Sequence, residues 1–81
     1  MRIIYDPPKR QANLENRGLD FADLDIEFFA ASIVVPAKDG RFKAVGMFGE
    51  MVLAVIFKPL GSEAISVISM RRANRKERSL L

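Results

Sequence analysis

Met51 to Phe57 is apolar at all seven positions, and no other stretch of the chain limits the fold as strongly. Gly49-Glu50 bounds it on one side and Pro59 and Gly61 on the other, so it reads as a strand with both faces covered, as in the middle of a sheet. It is far shorter than the roughly 20 residues that span a bilayer as a helix. Phe42 to Phe48, just upstream, alternates as a strand does, and Gly49-Glu50 is a two-residue hairpin loop of the Gly-X kind. A central hairpin over 42–57 follows. With 81 residues there is room for one core and one domain, 1–81, because a chain of this size buries only roughly 60% of its unfolded surface.

The flanking segments supply the other layer. Met1 to Tyr5 reads as a short strand, and Asp6-Pro7 as a helix start, Asp suiting the cap and Pro the first helical position. A helix from Pro7 to about Arg17 is expected to stop at Gly18, and a second to open at Asp20. Phe21, Leu24 and Phe28 stand at helical spacing and are read as its buried stripe, while Asp20, Asp23, Asp25 and Glu27 are read as a solvated acidic face. Ile33 to Val35 is β-branched and ends at Pro36, and Lys38-Asp39-Gly40 is a turn. Lys58 to Ser62 is expected to be the next turn, Ala64 to Ser69 a further strand, and Asn74 with Glu77 a capping box opening a final helix near Arg75. The expected class is α+β: an N-terminal strand and two helices packed on an antiparallel sheet of three to four strands, with a short C-terminal helix. The sheet face away from the two helices then needs cover, from the terminal helix or from a partner chain.

The chain has neither cysteine nor histidine. Disulfides, thiolate metal sites and cysteine nucleophiles are excluded, as are the commonest metal ligand and the commonest neutral-pH acid–base group. Ile3, Ile4 and Tyr5, followed by a carboxylate and two prolines, are no signal-peptide core, so a cytoplasmic protein is expected. Gly46 and Gly49 lack the Lys-Ser/Thr of a phosphate loop.

Charge is unevenly placed. Arg71, Arg72, Arg75, Lys76 and Arg78 face only Glu77 in the last twelve residues, whereas the remainder has eight basic residues against nine acidic. A near-neutral body with a concentrated basic end suits a polyanion, RNA above all, although a solvated terminal helix fits the same run. If the helical turn reaches back to Arg71, then Arg71, Arg75 and Arg78 form one ridge able to bind phosphates. Lys9, Arg10 and Arg17 on the first helix, with Arg41 and Lys43 at the hairpin, would extend it into a groove. Cleavage by the 2′-hydroxyl needs chiefly in-line positioning and charge stabilisation, so a ribonuclease can work without histidine, metal or cofactor, with Lys9 or Tyr5 assisting proton transfer.

Asp6-Pro7-Pro8-Lys9, Asn13-Leu14, Gly18 and Phe21, together with Ile68-Ser69-Met70-Arg71-Arg72-Ala73-Asn74-Arg75-Lys76-Glu77-Arg78, carry a family resemblance. The chain resembles the BrnT-type toxins of bacterial type II toxin–antitoxin systems, whose fold is similar to the RelE ribonucleases. It departs from that pattern at Asn16-Arg17, where the family usually has Lys-His. The resemblance implies a RelE-like ribonuclease that cleaves RNA and inhibits translation. It also implies neutralisation by a BrnA-like antitoxin with a DNA-binding domain, in a heterotetramer that reaches operator DNA through the antitoxin. On that reading Lys9, Arg17, Arg41 and Arg71 are catalytic, and Arg75, Lys76 and Arg78 hold the RNA backbone. A non-catalytic nucleic-acid-binding protein or antitoxin co-repressor is the alternative.

Overall fold

The computed structural model describes residues 1–81. Its elements are β1 (Arg2–Tyr5), α1 (Pro7–Arg17), a 3₁₀ turn (Phe21–Asp23), α2 (Ile26–Ala31), β2 (Ile33–Pro36), β3 (Phe42–Phe48), β4 (Met51–Leu60), β5 (Ala64–Arg72) and α3 (Arg75–Arg78). The five strands form one sheet in the order β1-β5-β4-β3-β2. The class is α+β, but the sheet is mixed and larger than the expected antiparallel set. β1 is not a separate layer; it joins the edge, parallel to β5, with Ile3 opposite Ile65 and Tyr5 opposite Val67. No helix is long and apolar enough to cross a membrane.

The central hairpin forms as its sequence dictates. Phe48 pairs with Met51 across Gly49-Glu50, and Gly49 adopts φ 62°, the left-handed conformation this loop requires at its first position. Leu53, Val55 and Phe57 point to the helix-bearing face, whereas Val45 and Ala54 point to the other and pack with Ala73. Complete burial of a side chain such as Leu53 or Val55 stabilises by about 1.5–3 kcal/mol. On the helix-bearing face Phe48, Phe28, Phe29, Phe57 and Phe42 follow one another in ring contacts of 5.3–6.3 Å.

β5 carries an irregularity that no local pattern shows. Ile56 pairs with Ser69 but Phe57 pairs with Val67, leaving Ile68 unpaired as a bulge. Val67 and Met70 are an odd number of residues apart and would otherwise face opposite ways. Both are instead buried in the same core. β5 also runs on to Arg72, beyond the expected end at Ser69, because the apolar β4 continues to pair there. At the other end of β4, Lys58 to Leu60 is strand rather than turn. Pro59 is tolerated because β3 stops at the Phe42–Phe57 pair, leaving β4 with β5 as its only neighbour there.

α1 matches its expected limits, and Gly18 (φ 69°) caps it by donating its N–H to Leu14 O at 2.9 Å. Asp6 occupies the N-cap position without a side-chain capping bond, and Pro7 and Pro8 offer no N–H to it. The expected second helix is divided. Asp20 accepts from Ala22 N–H at 3.0 Å and starts only the 3₁₀ turn, whereas Asp25 accepts from Phe28 N–H at 2.9 Å and starts α2. Two capping side chains compete for one stretch of backbone, and Leu24 between them is extended. Phe21, Leu24 and Phe28 are nevertheless all buried.

Two close approaches hold these layers. The Asn13 side chain donates to Met70 O (2.9 Å) and Leu19 O (3.0 Å) and accepts from Met70 N–H (3.1 Å). At Gly46 a Cβ would collide with Ser32 Oγ and crowd the Phe28 ring, so only glycine lets the α2–β2 junction reach β3. Asn13→Ala, which strands two buried backbone groups, should cost about 2–4 kcal/mol in urea unfolding. Gly46→Ala should cost about 1–3 kcal/mol, and less in a Ser32→Ala background, which a double-mutant cycle would measure.

Candidate nucleic-acid interface

The bulge that turns Met70 inward directs Arg71 to the opposite face, where α3 lies. There Arg71 Nη1 and Nη2 donate to Glu77 Oε1 and Oε2 at 2.6 and 2.8 Å. Lys43 of β3 reaches the same carboxylate, Nζ to Oε2 at 2.7 Å. Asn74 completes the set. Its N–H donates to Glu77 Oε1 at 3.0 Å, and its Oδ1 accepts from Glu77 N–H at 2.8 Å, so the expected capping box is formed. Glu77 is only 4% exposed, and four donors fill the acceptor capacity of its carboxylate. Arg71 foremost, with Lys43 and the Asn74 N–H, holds its carboxyl well below the usual range in spite of burial. The Arg71 guanidinium is raised in turn.

Beside this cluster is a polar recess of about 240 Å³ lined by Lys43, Asn74, Lys76, Glu77 and Leu80. Lys43 uses one donor on Glu77 and lies partly open to solvent, so its ammonium faces the recess with capacity to spare. Arg75 and Lys76 are exposed, and Arg78 donates Nη1 to Ala73 O at 2.9 Å. A hollow with two lysines among its lining residues can seat a phosphate.

Several expected placements change. Arg71, Arg75 and Arg78 are not one helical ridge, because Arg71 belongs to β5 and α3 begins only at Arg75. Lys9 and Arg17 occupy the first and last turns of α1, roughly 12 Å apart along its axis, and neither is brought to the recess. Arg41 is exposed at the mouth of β3, with its N–H donated to Lys38 O at 3.1 Å within the preceding turn. Arg10 is engaged by Asp20 in a two-point pair of 2.7 and 2.9 Å, which lowers the Asp20 carboxyl to about 2. Tyr5 is half-buried and packs edge-on to Phe21 with Arg10 above its ring, against the core rather than at the recess. Lys43 stood out in the sequence only as a basic residue beside the hairpin, and Glu77 only as a capping residue.

A five-stranded sheet with α1 and α2 on one face, and α3 with a recess holding two lysines on the other, defines a small α+β domain. The family model for BrnT, described as the ribonuclease toxin of a type II toxin–antitoxin system, matches residues 5–77. The chain belongs to that family. It is similar to the BrnT ribonuclease toxin of Brucella abortus, known from a 1.1 Å crystal structure. The two are 58% identical with a TM-score of 0.87, over 93% of this chain and 99% of that one. No curated protein matches the chain.

The cluster has a measurable acid signature. A carboxyl titrating below its ordinary 4.5 stabilises the fold fully above that pH and loses the contribution as pH falls beneath it. Glu77→Gln should therefore flatten the acid limb of the stability curve. At neutral pH it should cost about 2–3 kcal/mol, less than a fully enclosed pair would, because Arg71 and Lys43 retain solvent contact. Urea midpoints across the acid range measure both effects.

Proposed function

We propose that the chain is a histidine- and metal-independent endoribonuclease whose reacting phosphate sits in the recess between β3 and α3. The observation that carries this reading is the convergence of Lys43 and Arg71 on one buried carboxylate at the wall of that recess. The RNA 2′-hydroxyl gives its proton to solvent water as its oxygen attacks the adjacent phosphorus, and the P–O5′ bond breaks with the 5′-oxygen taking a proton from water, leaving a 2′,3′-cyclic phosphate. Negative charge grows on the non-bridging phosphate oxygens as it does so. Lys43 and Lys76 meet that charge directly, and Arg71, fixed by Glu77, supplies a preset positive field. Arg75, Arg78 and Arg41 extend the cationic surface along the backbone, whereas Lys9 and Arg17, on α1, take no part in it, and such contacts add affinity without reading sequence.

The toxin role follows from the family, and the rest of the setting is our proposal. The chain is the toxin of a type II toxin–antitoxin pair, and on our reading it has a RelE-like mode of RNA cleavage that arrests translation. Its antitoxin carries a DNA-binding part, and the two assemble as a heterotetramer on operator DNA.

Cleavage of a labelled RNA in the presence of EDTA tests the proposal. The wild-type chain should cut, and Lys43→Ala should cut about 10²-fold more slowly, as expected for losing one charged donor to the transition state. Salt-sensitive binding of RNA without any cut would leave only a nucleic-acid-binding module.

A further inference from the structure

An apolar groove of about 320 Å³ opens on the sheet face away from α3, lined wholly by apolar side chains: Ile26, Phe29 and Ala30 of α2, Val34 of β2, Phe57, Ile65 and Met1. Ile26, Phe29 and Ala30 share one helix face. Val34 is 45% exposed and Ile26 37%, so the apolar lining continues onto the surface. β2 is an edge strand, and its outer backbone has no neighbour in the sheet.

Charge specifies the occupant. From Gly18 to Ala37 the chain has four carboxylates and no cation, and only Asp20 is neutralised, by Arg10. Asp23, Asp25 and Glu27 thus make the α2 side of the rim acidic, opposite in sign to the recess at α3, whereas Arg2 and Lys58 follow the lining residues Met1 and Phe57 on the strand side. RNA is repelled from such a rim, whereas a polypeptide with apolar anchors between Lys and Arg is drawn to it. A second copy is a poorer occupant. The chain's own apolar segment beside cations, Leu80-Leu81 after Arg78, is a different surface from the groove, so self-docking would be head-to-tail and open-ended. We propose that this acidic-rimmed groove and the β2 edge are the docking surface for the antitoxin, through a segment of apolar side chains flanked by basic ones. The inference rests on the toxin–antitoxin reading above and assigns the partner a surface separate from the RNA recess.

Calorimetry with the purified cognate antitoxin tests it, together with RNA cleavage by each free variant. Val34→Lys and Ile26→Lys alter exposed positions, and their circular dichroism and melting should match wild type. Each should weaken antitoxin binding at least about 10-fold while leaving free-chain cleavage within about twofold. Glu27→Lys should weaken binding more at low salt than at high salt. Loss of antitoxin binding in Val34→Lys supports the docking surface even if the wild-type chain cuts no RNA, so the two readings fail separately. Wild-type affinity in all three variants would overturn the proposal. So would loss of binding confined to Lys76→Glu, or a concentration-dependent self-assembly of the wild-type chain that Val34→Lys abolishes.

Discussion

The Asn13 side chain takes the place of a strand. β1 ends opposite Val67, so the outward N–H and C=O of Met70 have no backbone neighbour on that side. The Asn13 carboxamide, a donor and an acceptor on one plane, satisfies both as a peptide group would. The same side chain binds Leu19 O, which ties α1, the segment after Gly18 and β5 into one corner. No aliphatic or charged residue of that size offers the same pair of groups. β5 is thereby held in register just before the residue that builds the site.

From that corner the chain alternates between faces with consequences for function. Met70 is completely buried under the helices, and Arg71, one residue on, turns to the other face and meets Glu77. Glu77 performs two tasks with one carboxylate. It caps α3 through Asn74, and it gathers Lys43 and Arg71 from two strands that are not adjacent. Two cations set close together repel one another, and a buried anion between them removes that cost. The pair is thus preorganised, whereas Arg75 and Lys76 are exposed.

The distribution of charge gives the molecule two distinct surfaces. The α3 side is cationic and polar, suited to phosphates. The α2 side is apolar with an acidic rim, suited to a basic polypeptide. Separation of this kind lets a small domain serve two partners of unlike charge without either competing for the other's groups.

Much of this was legible in the residues themselves. The apolar run 51–57, the Gly49-Glu50 loop, the limits of α1 and the Asn74–Glu77 box are encoded within a few residues, because hairpin loops, caps and periodicity act over that distance. The C-terminal cationic surface was equally plain from charge. The division of the 20–31 segment escaped the local pattern because Asp20 and Asp25 are both competent caps, and the chain uses both while still burying Phe21, Leu24 and Phe28. Parallel pairing of β1 with β5, the Ile68 bulge and the meeting of Lys43 with Arg71 on Glu77 belong to tertiary structure alone. Each depends on which distant strands become neighbours and in what register, and a one-residue shift would send Arg71 to the core face and Met70 to the solvent.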